Sequence, residues 1–170
     1  MKVIIETERL LLREFVLSDG PDIFRINSDP EVVRYAEGVT PSSLEEQIGY
    51  LRDGPLADYS RYGYGRWAIE ERDSGRLIGM CGPKMLSSLG DVEIGYRLQR
   101  DRWGLGLATE AALATRDHAR DQLGFDHVIA LIMRENAASV RVAEKLGMTC
   151  TGPIRFEGAD VLRYEIVFRN

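Results

Sequence analysis

DVEIGYRLQRDRWGLGLATEAALATR, residues 91–116, runs from a strand (Val92 to Leu98) through an arginine-rich turn to Gly104 and Gly106 at the mouth of an alanine-rich helix. A strand that enters a Gly-x-Gly turn and then a helix leaves several backbone N–H groups without partners, all directed at one spot beside the positive end of the helix dipole. The glycines remove side chains that would hold an anion off those amides, and they adopt backbone angles a larger residue resists. The stretch therefore predicts an anion site, with Arg97, Arg100 and Arg102 as local positive charge. It is not a Walker loop, since no Gly-Lys-Ser/Thr follows, nor a dinucleotide fingerprint, since Thr109 stands where the third glycine belongs. Taken alone, the same Gly-x-Gly also reads as a plain helix start without a ligand.

The neighbouring sequence decides between those readings. RDRWGLGLATEA, preceded by EIGYRL, resembles the acetyl-CoA motif of the GNAT N-acetyltransferases, in particular the branch that includes the ribosomal-protein N-terminal alanine acetyltransferases. TERLLLREF (Thr7 to Phe15) resembles the first strand of that branch, and ENAASVRVAEKLGM (Glu135 to Met148) the helix after its fifth strand. The pieces occur in the family's order and span nearly the whole chain. The resemblance implies a GNAT-like α/β fold: a mixed, mostly antiparallel sheet with helices on both faces, splayed at an acetyl-CoA cleft.

The length of 170 residues suits a single domain over residues 1–170 with one good core. A composition of 44% hydrophobic and 29% charged residues is that of a soluble globular protein. No apolar run approaches membrane-spanning length, and MKVIIETERL turns charged too soon for a secretory signal, so the expected setting is the cytoplasm, without a membrane partner. Net charge of -5 argues against a nucleic-acid surface. Cys81 and Cys150 lie in strand-like surroundings and read as buried small hydrophobes. With only His118 and His127 for imidazole and no ligand-spaced cluster, no metal site is expected.

Along the chain, Glu8 to Val16 reads as a buried strand, followed by a helix from about Pro21 carrying Ile23, Phe24 and Ile26, with Ser18 or Asp19 as its cap. A short helical turn, EVVRYA, leads toward Gly38, and Thr40-Pro41-Ser42 starts a helix through Leu51. Gly54 to Gly65, rich in Gly, Tyr and Asp, reads as irregular: a surface loop or a wall of the acceptor site. Trp67 to Arg72 and Arg76 to Met85 form a hairpin around Asp73-Ser74-Gly75, and Asp91 to Leu98 extends it. After the helix from Gly104 to Leu123 come an apolar strand, Asp126 to Met133, parallel to its neighbour, and a helix from Glu135 ended by Gly147. A closing strand pair covers Thr149 to Phe156 and Val161 to Phe168.

The resemblance also assigns candidate residues. Tyr96, Arg97 and Leu98 would lie along the pantetheine arm of acetyl-CoA. The amides of Arg102, Trp103, Gly104, Leu105, Gly106, Leu107, Ala108 and Thr109 would hold its pyrophosphate. The family usually opens this turn with Gln or Arg three residues before the first glycine; here that residue is Asp101, flanked by Arg100 and Arg102. Asn136 and Ser139 are a second candidate pair for binding the cofactor, and Asn is also a favoured helix cap. Ser139 shares a stripe with Val142, Ala143 and Leu146, so it faces the sheet. Many GNAT members place a proton-donating tyrosine where this chain has Ala143, which leaves Ser139 as the candidate acid.

An ammonium is not a nucleophile, so a base must take its proton. Glu93 and then Glu157 are the candidates, with a salt bridge the competing account of Glu93. Glu110, in the first turns of its helix, reads as structural. The expected activity is acetyl transfer from acetyl-CoA to a primary amine, a peptide N-terminus or a small amine, by a monomer or homodimer. Asp53, Asp58 and Glu37 are candidates for an acidic acceptor wall. The alternative is a non-catalytic acyl-CoA-binding or sensing module.

Overall fold

The computed structural model describes residues 2–36 and 40–168; Glu37 and Gly38 lie outside the described residues. The chain opens with two strands, Val3–Glu6 (β1) and Leu10–Arg13 (β2), and then helices Gly20–Asn27 (α1), Pro30–Val33 (α2), Leu44–Leu51 (α3) and Ala57–Tyr62 (α4). Strands Trp67–Glu71 (β3), Leu77–Leu86 (β4) and Asp91–Leu98 (β5) precede helix Leu107–Asp121 (α5). Strand His127–Met133 (β6), helix Ala137–Lys145 (α6) and strands Thr149–Phe156 (β7) and Ala159–Val167 (β8) complete it. All eight strands join one sheet, ordered β1-β2-β3-β4-β5-β6-β8-β7. Every neighbouring pair is antiparallel except β5 and β6, which run parallel.

Alternation along the strands builds a core on each face. Trp67, Ile69, Cys81, Val92, Ile94, Leu98, Val128 and Ile132 meet Leu107, Ala111, Ala112 and Ala119 of α5. The helix lies close because its buried stripe is made of small residues. On the opposite face, Ala68, Leu77 and Met80 pack against Ile23, Ile26 and Leu51 of α1 and α3. Farther along that face, Ile129 clusters with Leu86, Phe156 and Val161.

Arg13 of TERLLLREF ties the sheet to the start of α1. Arg13, almost fully buried, forms a two-pronged pair with Asp19 at 2.8 and 2.9 Å and reaches Glu70 of β3 at 2.9 Å. Asp19 thus serves the strand rather than capping α1, which has no side-chain cap bond. Ser43 does cap α3, accepting from the Glu46 amide at 3.1 Å.

The structure departs from the sequence reading at three further points. Val3–Glu6 is a separate edge strand; a four-residue segment with both ends exposed lacks the alternation that marks a half-buried strand. Gly54 to Gly65 is not an irregular loop. α3 widens into a π-helical turn over Arg52–Leu56 and continues as α4, which Gly63 ends in a left-handed conformation. The wider turn accommodates Pro55, which lacks the N–H an α-helical interior requires. α4 is held down by Tyr59, whose hydroxyl accepts from the Phe15 amide and donates to the Arg66 carbonyl. The third correction concerns Cys150, which is exposed on edge strand β7; Cys81 alone is buried, and burial pushes its thiol up to about 11.

Candidate active site

β4 and β5 pair along their length, from Gly79–Leu98 to Leu86–Asp91, whereas β5 meets β6 in register only at Glu93–Ile129. Beyond that bridge the two parallel strands part, so the backbone of Ile94 to Leu98 faces an open slot instead of a ladder. At its closed end, Asp91 fastens β5 to its neighbours: its carboxylate meets His127 Nε2 of β6 at 2.9 Å and accepts from Arg163 of β8 at 2.6 Å.

At its open end, β5 runs into the glycine turn. Gly104 and Gly106 have φ of +75° and +78°, left-handed angles that favour glycine, and a Cβ on Gly104 would meet nothing within 4 Å. Glu110 is the first amide of α5 to find an acceptor, at Gly106 O, 3.0 Å away. The N–H groups of Leu107, Ala108 and Thr109 therefore have no partner inside the helix. Such a cradle fits a pyrophosphate group.

Its shape is held from the far edge of the sheet. Glu110 accepts from Thr7 Oγ1 at 2.7 Å, the Arg9 amide at 3.0 Å and Arg9 Nε at 2.7 Å, while Arg9 also donates to Leu105 O at 2.9 Å. Two motifs a hundred residues apart in sequence thus meet at one carboxylate. Glu110 is structural, as its position suggested, but through Thr7 and Arg9 as well as the helix dipole.

The arginines of the turn do not converge on the cradle. Arg102 pairs with Glu71 at 2.7 Å, Arg97 turns to the other face of the sheet and bonds Asn27, and Arg100 is exposed. Asp101 is held by Gln99 and by Arg102 at 3.2 Å. Trp103, about half exposed, donates its ring N–H to Leu98 O at 2.9 Å.

Across the slot, the Tyr96 hydroxyl of β5 meets the Ser139 hydroxyl of α6 at 3.1 Å. Burial pushes the Tyr96 hydroxyl above its ordinary value, and its bond to Ser139 pulls it partly back. Asn136 is the cap of α6: its Oδ1 accepts from the Ser139 amide at 3.2 Å. Capping uses only the Ser139 backbone, so its hydroxyl stays available to the slot.

Glu93 lies on the face of β5 toward α1 and α3 and pairs with Arg66, both side chains mostly buried. Arg66 also reaches the Gly82 and Glu93 carbonyls, and Gly95 makes room for it: a Cβ there would stand 2.5 Å from the guanidinium. Glu157 is exposed at the tip of the β7–β8 hairpin, with φ of +47°. Of the acidic-wall candidates, Asp53 is exposed and paired with Arg52 at 2.9 Å. Asp58 is half-buried, its carboxyl raised by burial against the pull of Lys84 and Arg66. Arg66, Asn27 and Thr7 were not among the candidate residues; Thr7 opens the TERLLLREF stretch, but nothing in the local sequence marks Arg66 or Asn27, because each acquires its role from a partner on another element.

Residues 9–149 match the family model described as acetyltransferase (GNAT) domain. The chain belongs to the GNAT acetyltransferase family. Among its GNAT relatives is the uncharacterized N-acetyltransferase YoaA of Bacillus subtilis, 32% identical over 153 residues, covering 89% of this chain and 86% of that protein. The crystal structure of an acetyltransferase from Agrobacterium tumefaciens is 28% identical with a TM-score of 0.82, covering 95% of this chain and 92% of that one. RimL, the ribosomal L7/L12 alpha-N-protein acetyltransferase solved with coenzyme A, shares the GNAT fold at a TM-score of 0.83 and 19% identity, over 98% of each chain.

Proposed function

We propose that this GNAT protein is an acetyl-CoA-dependent N-acetyltransferase acting on a primary amine, with one acetyltransferase domain over residues 1–170 in a cytoplasmic setting. The observation that carries the reading is the parted β5–β6 pair ending in the glycine cradle. That arrangement offers backbone along a slot for an extended arm and free amides at its mouth for a diphosphate. No helix among the described residues is long and apolar enough to cross a membrane.

Bound in that slot, acetyl-CoA supplies the thioester carbonyl that an amine attacks directly. Tyr96, Arg97 and Leu98 present backbone groups to the arm, and the amides from Gly104 to Thr109 frame the pyrophosphate; those of Arg102 and Trp103, expected to join them, are already taken by Gln99 O at 3.0 Å and Arg100 O at 3.1 Å. Backbone N–H groups on the unpaired edge of β5 stabilise the oxyanion. The Ser139 hydroxyl, held against Tyr96, delivers a proton to the departing thiolate. Glu93 is the candidate that takes the ammonium proton, directly or through water, with Arg66 fixing its orientation. Glu157, exposed at a hairpin tip, is the second candidate. Nothing among the described residues favours the non-catalytic alternative.

The test is thiol release from acetyl-CoA against peptides beginning with Ala, Ser or Met, a lysine peptide, free amino acids, spermidine and an aminoglycoside. Release with an amine is the expected result; acetyl-CoA binding without release for any amine would overturn the catalytic reading. Gly104→Val and Gly106→Val should fold, by circular dichroism, and lose acetyl-CoA affinity by at least about tenfold. Full affinity in either folded variant would refute the cradle.

A further inference from the structure

Arg97 presents a charge that the rest of the site leaves unanswered. It is half-buried on the face of β5 toward α1 and α3, and burial lowers the guanidinium below its ordinary value. Only one of its N–H groups has a partner among the described residues: it donates to Asn27 Oδ1 at 2.7 Å. No carboxylate pairs with it among the described residues, although Arg66 is matched by Glu93 and Arg102 by Glu71. An uncompensated cation in a half-buried position costs stability.

A second donor on the same network is also unmatched. Asn27 donates through Nδ2 to Gln47 Oε1 at 2.8 Å, and Gln47 Nε2 is buried without an acceptor. Tyr50 of α3 stands close by. The group that completes Arg97 is not the cofactor's pyrophosphate, because the cradle opens at α5, which packs on the opposite face of the sheet.

Arg97 directly follows Tyr96, whose hydroxyl meets Ser139, so an anion held by Arg97 lies beside the strand that lines the slot, on the opposite face of the sheet. One surplus positive charge matches a singly charged carboxylate, whose two oxygens fit the planar guanidinium fork. A phosphate dianion would leave net negative charge in the same half-buried place.

We propose that Arg97 is a carboxylate-binding residue of the acceptor site, and that the acceptor is a small amino carboxylate such as an amino acid or dipeptide. This rests on the N-acetyltransferase reading and narrows its acceptor. Polyamines and aminoglycosides, which carry no carboxylate, should then be poor acceptors.

The test compares each of the twenty L-amino acids with its α-amide, and with spermidine, in thiol release from acetyl-CoA, for the native protein and for Arg97→Gln. The best acid is expected to exceed its amide by at least about tenfold in kcat/KM. Arg97→Gln should remove that margin by raising KM for the acid far more than for the amide. Equal rates for acid and amide, a preference for spermidine, or equal loss on both substrates in Arg97→Gln would overturn the proposal.

Calorimetry of the same amino acids and amides with the CoA-saturated protein separates this claim from turnover. Binding of an acid but not its amide, abolished in Arg97→Gln, upholds the subsite even if no thiol is released, in which case the catalytic reading alone fails. Absence of acid-selective binding overturns the subsite whatever the turnover. Arg97→Lys, which keeps the charge but not the fork, should restore only part of the margin and shows that loss in Arg97→Gln is not misfolding.

Discussion

Ser139 has two jobs open to it by position, and its own atoms divide them. Its backbone N–H completes the Asn136 cap at 3.2 Å, and its hydroxyl meets Tyr96 at 3.1 Å. The family's usual acid position is Ala143, buried in the core and unable to donate. Ser139→Ala should therefore lower kcat by about 10- to 100-fold while leaving acetyl-CoA affinity within twofold. Asn136→Ala should instead cost about 1 kcal/mol of stability, the usual worth of an N-cap, read from urea unfolding. A Ser139→Ala enzyme with full turnover would reduce Ser139 to packing. Because burial raises the Tyr96 hydroxyl above its ordinary value, that hydroxyl stays protonated through neutral pH and remains able to donate to Ser139. If Ser139 is the acid proposed above, the kcat plateau should accordingly be undisturbed through about pH 9 by deprotonation of the Tyr96–Ser139 pair.

At the scale of elements, the glycine turn depends on a contact from the opposite edge of the sheet. Glu110 is the shared acceptor for Thr7 and Arg9, and Arg9 in turn holds the Leu105 carbonyl. Glu110→Gln keeps the shape but weakens the charge-assisted bonds, and should raise the acetyl-CoA Kd about tenfold with a loss of about 1–2 kcal/mol in stability. If Kd is unchanged in a variant destabilised by that amount, the clamp secures α5 without shaping the cradle. The elements themselves were largely legible: glycine placement, apolar runs and cap residues located β3 to β8, α5 and α6, since each is a local signal. α4 was not legible, because Gly54-Pro55 reads as a helix breaker and only a π-turn, stabilised by the distant grip of Tyr59, carries the helix past it. The same logic separates the parts of the site. Backbone cradles follow from glycine spacing, whereas Arg66 beside Glu93 and Asn27 beside Arg97 are made by tertiary contact and leave no periodic trace.

Across the whole molecule, the sheet consists of two antiparallel leaves, β1 to β5 and β6 to β8, joined by one parallel seam that bonds in register only at Glu93–Ile129. A seam that must open for an acyl carrier needs a fixed closed end, and Asp91 supplies it by holding His127 and Arg163 from across the join. Burial pushes the Asp91 carboxyl up, but the His127 and Arg163 bonds outweigh it and hold the group below the usual carboxylate range. A carboxyl depressed in the folded state adds stability above its unfolded value, about 3.9, and loses it as pH falls through the lower folded value. Asp91→Asn should thus be about 2 kcal/mol less stable than the native protein at pH 7, with the gap closing only below about pH 4. Hydrogen exchange gives the spatial counterpart. Peptides covering 127–133 and 159–167 should exchange faster in the variant, while those covering 67–86 change little, because the leaf that loses its tether is the one beyond the seam. Uniform acceleration in both leaves would mean that Asp91 contributes to global stability without acting as the hinge pin of the slot, and the closed end would then rest on the Glu93–Ile129 bridge alone.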